Sequence, residues 1–273
     1  MTSENSTIHR YVIMANGKGI RWNEYLGIPK HLIWIKDETL LERIVRQVTT
    51  RDATAEVIIS SSDPRCESLG AIRYSPRRNE IELDRFVPEL LCDGICFLYG
   101  DTYYTDEAMD IIFGTKRGSM TFFGTKTSLV AIKSWDRAQF THHLNIVRSA
   151  YLSGQISTCK GWQVYRSYTG RPLDGGPVSE ASGVSGAGGV SGAGGVSGAG
   201  GVSGAGGVSG AGGVSEAGGV SEAAKTEGVV GGNESPETDD VTSHEEAFVH
   251  LSDETCDFNR PHDLTNFYMR AEK

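Results

Sequence analysis

A hexapeptide repeat, VSGAGG, places valine at 184, 190, 196, 202, 208, 214 and 220, with nothing apolar larger than alanine between them. One aliphatic residue every six is a pattern that can coil into a β-helix. The energetics oppose it here. Ordering a residue costs about 1–2 kcal/mol, glycine most of all, whereas one buried valine per repeat returns about 2–3 kcal/mol. Each repeat loses more on folding than it gains, and the segment reads as a flexible Gly/Ser/Ala linker. The stretch that follows, EAAKTEGVVGGNESPETDDVTSHEE, is acidic and equally poor in core residues. A disordered insertion is therefore expected over 175–242.

Removing this segment changes what the composition means. Residues Gly183–Val220 hold 18 of the 35 glycines, and the rest of the chain has an ordinary share. From Asp174 to Asp240 there are nine acids and one base, Lys225; the remaining 206 residues carry 26 acids and 25 bases. A near-neutral body with no Lys/Arg block is a poor nucleic-acid binder. No apolar run reaches the roughly 18 residues of a membrane span. The start, MTSENSTIHR, lacks the basic and apolar parts of a secretion signal. The five cysteines are an odd number, widely spread and without CxxC, and read as reduced thiols of a cytoplasmic protein. Nothing in the chain indicates an oligomeric state.

The body, 1–174, is long enough to bury one core. Residues 243–273 are too few for a second. Closure entropy grows only with the logarithm of loop length, so a long insertion costs little. The C-terminal segment is expected to add a strand and a helix to the same domain.

Arg10–Ala15, Glu56–Ser60 and Gly94–Gly100 are continuous apolar runs with β-branched residues, read as buried strands. Met120–Gly124, Leu129–Lys133 and Ala247–Leu251 are further strands. Thr39 opens a capping box with Glu42, and Leu40, Leu41, Ile44, Val45 and Val48 form one face of a helix over Leu40–Thr49. Thr105 caps a short helix with Asp106 and Glu107 in its first turn. Phe140, Leu144, Val147 and Tyr151 step along a helix over Arg137–Leu152, and Asn259 starts a last helix that runs to Arg270. Alternating strands and helices predict a single α/β domain, Rossmann-like and three-layered, with a mostly parallel sheet. Ligands bind such sheets at the carboxyl ends of the strands. Two features lie there: the loop 16–30 after the first strand, and Asp101 after a central one.

The loop reads MANGKGIRWNEYLGIPKHLI. Gly17 and Gly19 let backbone N–H groups approach an anion without Cβ obstruction. Lys18, Arg21 and Lys30 add charge, Arg21 as a planar fork and Lys30 as a compact one behind Pro29. The alternative is a glycine turn with solvated bases. GxxxxGK[ST] is absent, and GxGxxG fails at Trp22.

The run MANGKGIRW…IPKHLIWIKDETLLERIV resembles the opening of the nucleotidyltransferases that make nucleotide sugars and related activated alcohols. Ala15, Gly17, Gly19, Arg21, Pro29 and Lys30 match that pattern in order and spacing, while Asn16 departs from the small residue usual there. The resemblance continues at FLYGDTYYTDEAMDIIF and resumes at CDFNRPHDLTNFYMR. It implies a GT-A-like α/β fold with a nucleotide-binding half over about 8–118 and an acceptor half over 119–174, where no specific match is seen. It further implies transfer of an NMP from an NTP to a phosphorylated acceptor, a sugar-1-phosphate or phospho-alcohol, with release of pyrophosphate. Ala15, Asn16, Gly17, Lys18, Gly19, Arg21, Lys30 and Gly100 would bind the nucleotide. Arg21 and Lys30 would offset charge during transfer, and Asp101 and Asp257 would hold Mg²⁺.

Such chemistry suits these residue types. It asks the protein to align two anions and neutralise developing charge, and Mg²⁺ needs few carboxylates because it keeps several waters. Asp253 and Asp263 are rivals of Asp257, with Asp263 better placed to answer a helix dipole. Lys133 is a candidate for the acceptor phosphate, against a solvated surface lysine. Trp135, Trp162 and Tyr165 are read as core rather than pocket, His142 and His143 as surface, and Ser60–Asp63 as a turn or a base contact. Two other functions stand beside the first. A GT-A glycosyltransferase would place Asp-x-Asp at the strand end, where this chain has Asp101-Thr102-Tyr103. A non-catalytic scaffold built on the repeat would lack aromatic or charged anchors.

Overall fold

A computed structural model describes residues 8–175 except 24, and 246–271 except 253. From residue 176 on, the expected linker lies outside the described residues. The centre of the fold is β1 (Arg10–Met14). It pairs in parallel with β4 (Glu56–Ser60) on one side and β6 (Ile95–Tyr99) on the other, with Met14 opposite both Ser60 and Tyr99. The carboxyl ends of three strands thus open on one edge, where the strand order reverses direction. Outward lie β5 (Ile72–Tyr74), beside β4, and β9 (Leu129–Ser134), antiparallel to β6 and to β8 (Met120–Gly124). The strand β10 (Phe248–His250), from beyond the insertion, pairs in parallel with β8 and completes a seven-stranded sheet. The fold is the predicted α/β class with a mostly parallel sheet.

The strands are apolar throughout because both faces of the sheet are covered. In β1, Tyr11 and Ile13 face one core while Val12 and Met14 face the other, the period-two alternation of a strand. The first core is closed by α1 (Leu40–Arg51) through Leu40, Leu41, Ile44, Val45 and Val48, and by α2 (Asp106–Gly114) through Met109 and Ile112. The second is closed by α3 (Arg137–Leu152) and α4 (Gly161–Tyr168), which bring Phe140, Leu144, Val147, Val164 and Tyr165. Both inner helix starts are fixed locally. Thr39 Oγ1 accepts the Glu42 N–H at 3.2 Å while Glu42 accepts the Thr39 N–H at 2.7 Å, and Thr105 Oγ1 accepts the Ala108 N–H at 3.1 Å.

Past β10, the short strand β11 (Cys256–Asp257) pairs antiparallel with β7 (Thr102–Tyr103), setting Asp257 opposite Thr102. The last helix, α5 (Pro261–Ala271), begins just beyond. A two-residue pairing of β2 (Trp34–Ile35) with β3 (Glu38–Thr39) leads into α1. Among the described residues, no helix is long and apolar enough to cross a membrane, and Cys66, Cys92, Cys96 and Cys159 are free thiols.

Candidate active site

Two adjoining clefts open at the carboxyl ends of β1, β4 and β6, and Lys30 lines both. The first is the glycine loop. Ala15 leaves β1 by donating its N–H to Ser60 O at 2.9 Å. Asn16, nearly buried, accepts from the Ser62 N–H at 3.0 Å and the Ser62 hydroxyl at 2.7 Å, which ties the loop to the segment after β4. The chain then turns at Gly19, whose φ of +59° suits glycine, and its carbonyl accepts the Trp22 and Asn23 N–H groups. Among the described residues, the backbone N–H groups of Gly17, Lys18 and Gly19 have no acceptor. The three residues that carry these unpaired donors line one cleft, and successive N–H groups are what an anion nest is built from. Lys18 is exposed and donates to Glu80 O at 3.3 Å.

The second cleft lies over the ends of β6 and β11. Lys30 and Asp101, both nearly shut off from solvent, form an ion pair at its floor. Burial alone would raise the Asp101 carboxyl, but the Lys30 ammonium beside it, helped by His31 and Arg85, holds it below the usual carboxylate range. His31, buried next to this pair, is pushed down to about 4 by burial, and its Nδ1 has no hydrogen-bond partner.

Asp257 reaches the same cleft because the Phe258 N–H donates to Asp101 O at 2.8 Å, extending the β7–β11 pairing by one residue. Asp257 accepts from the Ser128 hydroxyl at 3.1 Å and from the Asn259 amide. Arg21 crosses from the glycine loop to donate to Asn259 Oδ1 at 2.6 Å. Residues more than two hundred positions apart thus close one wall.

The structure brings Ala15, Asn16, Gly17, Lys18, Gly19 and Lys30 to the first cleft, and Arg21, Lys30, Asp101 and Asp257 to the second. Two expected residues lie elsewhere. Gly100 is buried and lines neither cleft. A Cβ there would come within 2.9 Å of Met14 O and 3.3 Å of His31, so glycine serves the close approach of two strand ends. Lys133 is neither in a cleft nor on the surface. It is 3% exposed and donates to the carbonyls of Ile112, Phe113 and Thr115 at 2.7, 3.2 and 2.9 Å. These are the orphan carbonyls at the end of α2, where a cation is favoured, and the three bonds use all three donors of the ammonium.

The rivals of Asp257 are also placed. Asp263 accepts the N–H groups of Asn259 and Arg260 at 2.9 and 2.7 Å and so starts α5. Asp253 lies outside the described residues. Trp162, read from sequence as core, is only partly buried and lines the second cleft; Tyr165 is core. Arg85, Lys126 and Lys160 line this cleft too and carry no motif that would have marked them. With Arg21 and Lys30 they make five cations against the carboxylates of Glu82, Asp101 and Asp257.

Asp101, in the turn between β6 and β7, and Asp257, on β11, both line the second cleft, and their oxygen donors are of the kind that suits Mg²⁺, which binds through one or two carboxylates and completes its shell with water and phosphate. No cluster of three or more His, Cys, Asp or Glu side chains able to hold a metal is present among the described residues.

No family model and no curated protein matches the chain. Among solved structures, the CTP:phosphocholine cytidylyltransferase of Streptococcus pneumoniae is 12% identical, with a TM-score of 0.36 over 54% of this chain and 79% of that one. The inositol-1-phosphate CTP transferase of T. maritima is 14% identical, with a TM-score of 0.32 over 46% of this chain and 56% of that one.

Proposed function

We propose that the chain is a nucleotidyltransferase. An NTP would lie along the glycine loop, its phosphates on the free N–H groups of Gly17, Lys18 and Gly19. A small phosphorylated acceptor, a sugar-1-phosphate or phospho-alcohol, would occupy the second cleft. The carrying observation is that one buried cation, Lys30, lines both clefts. A group passing between two bound anions has to pass such a point.

In the reaction proposed, an acceptor phosphate oxygen forms a bond to the α-phosphorus as the bond to the β-phosphate bridging oxygen breaks. Pyrophosphate leaves with that electron pair. A phosphate dianion is already a nucleophile, so no general base is needed. The chain's part is alignment and charge neutralisation. Lys30 offsets charge at the junction, and Arg21, held by Asn259, orders the acceptor side. Asp101 and Asp257 would hold Mg²⁺, which when bound supplies further neutralisation of the phosphates.

The test is a matrix of the four NTPs against sugar phosphates and phospho-alcohols, read as pyrophosphate release. Release that depends on both partners supports the reading. Release of a nucleoside diphosphate from nucleotide sugars instead would point to glycosyl transfer, and no binding of any nucleotide to a scaffold role.

A further inference from the structure

We propose that Arg85, which lines the second cleft and lies against the glycine loop of the first, contacts the phosphate being transferred; this rests on the nucleotidyltransfer reading. Arg85 ends a 3₁₀ turn, Glu82–Arg85, that is anchored on every side. Leu83 and Phe86 are buried in the second core. Asp84, also buried, accepts the N–H groups of Glu80 and Ile81 at 2.8 and 3.0 Å and an Arg148 N–H at 2.9 Å. These anchors fix the backbone from which the Arg85 side chain projects.

Its position is specific. A Cβ built on Gly17 would lie 3.2 Å from Arg85 Nη2, so the guanidinium lies directly against the glycine loop. The same side chain lines the second cleft beside Lys30 and Asp101. Its charge is felt at both Asp101 and His31. Gly17 therefore has a second reason to be glycine: it makes room for Arg85 as well as for an anion.

What the guanidinium lacks is an acceptor. Its side chain is 23% exposed, and its one ion-pair partner among the described residues, Glu82, stands 3.9 Å away, beyond hydrogen-bond reach. None of its nitrogens is both shut off from solvent and unpartnered, so water serves the fork's donors until a ligand in the cleft replaces it. Phosphate oxygens match that fork. Arg85 touches the loop proposed to hold the nucleotide and the cleft proposed to hold the acceptor. The group within its reach is the phosphorus that exchanges one oxygen partner for the other. Its effect falls on the charge that the non-bridging oxygens carry as the new bond forms and the bond to pyrophosphate breaks.

The experiment uses the full chain with Arg85→Gln, Arg85→Lys and Arg85→Ala. Three readouts are taken: pyrophosphate release in the NTP–acceptor matrix, binding of inorganic pyrophosphate by calorimetry, and thermal stability. The expected result is a fall in kcat of about 100-fold for Arg85→Gln with little change in KM for NTP. Arg85→Lys should lie between, and guanidinium ion added to Arg85→Ala should restore about tenfold. A merely structural arginine would give no such rescue. A kcat near wild type in Arg85→Gln overturns the proposal, and so does a loss that guanidinium does not relieve in a folded Arg85→Ala. If wild-type protein binds pyrophosphate but transfers nothing, the transferase reading fails by itself. Pyrophosphate affinity then decides: about tenfold weaker binding in Arg85→Gln sustains the contact, and unchanged binding removes it. Wild-type protein that binds no pyrophosphate overturns both.

Discussion

The ammonium of Lys30 and the carboxylate of Asp101 face each other with side chains only 9% and 10% exposed. Removing one partner of such a pair strands a buried charge, which costs about 3–5 kcal/mol, whereas removing both can be nearly neutral. Lys30→Met should therefore destabilise strongly, and Lys30→Met with Asp101→Leu should recover most of the loss. Urea unfolding of the two singles and the double checks this. Additive losses in the double variant would mean the two groups are not coupled. Asp101→Asn keeps an acceptor for Lys30, so it should fold yet lose turnover by about 100-fold or more if Asp101 holds the metal. Pyrophosphate release with unchanged metal dependence in that variant removes the assignment.

The legible parts of the chain are those decided locally. The runs at β1, β4 and β6 are continuous because both faces of each strand are covered, so burial leaves its mark residue by residue. The Thr39–Glu42 box and the Thr105 cap depend on four residues each and were readable for that reason. Three kinds of feature were not. The helix α4 starts on Lys160-Gly161 and buries Val164, Tyr165 and Tyr168, too short a stripe to mark a helix from sequence. The strand β5 is an edge whose Ile72 is exposed, so the alternation that marks a half-buried strand is missing. Arg85, Lys160 and Trp162 become neighbours of Asp101 only through the sheet order, and no local pattern carries that.

His31 makes a pH prediction. Burial, aided by Lys30 and Arg85, lowers it to about 4 from 6.5, against the opposing pull of Asp101 and Asp63. The folded state therefore binds this proton more weakly than the unfolded chain. The resulting stability is complete above pH 6.5 and is lost as pH falls toward 4, by about 3 kcal/mol. Asp63, Asp84, Asp101 and Asp106, lowered from 3.8 by backbone hydrogen bonds and by arginine, glutamine or lysine partners, lose their share below that window, while Glu38, lowered from 4.5 chiefly by Arg46, begins to lose its share at the lower end of the window in wild type and variant alike. Urea midpoints between pH 7 and 4 should fall less steeply in His31→Leu than in wild type. Parallel slopes would show that this imidazole is not buried neutral.

Lys133 carries a structural prediction in place of the acceptor role expected from sequence. Its three bonds satisfy the end of α2, and desolvation lowers its pKa. Lys133→Met leaves three carbonyls without their donor and should cost about 2–4 kcal/mol. The acceptor KM of the folded fraction should not change. A variant of wild-type stability with a raised acceptor KM would return Lys133 to the site.

Gly161 tests how the second cleft is built. A Cβ there would fall 2.3 Å from the Tyr99 hydroxyl and 3.0 Å from Leu129. Tyr99 is the last residue of β6, two before Asp101, so the start of α4 is seated directly on the strand end that carries the site. Gly161→Ala must push that helix start outward, and Lys160 and Trp162, its chain neighbours, move with it. The overpacking should cost about 1–3 kcal/mol, and the acceptor KM should rise while NTP binding stays as it was. Gly114, the last residue of α2, is the control, since a Cβ there meets nothing within 4 Å. Gly114→Ala should be neutral or slightly stabilising. Equal unfolding midpoints for the two variants would mean that α4 does not rest on Tyr99, and that the wall bearing Trp162 is not where the structure puts it.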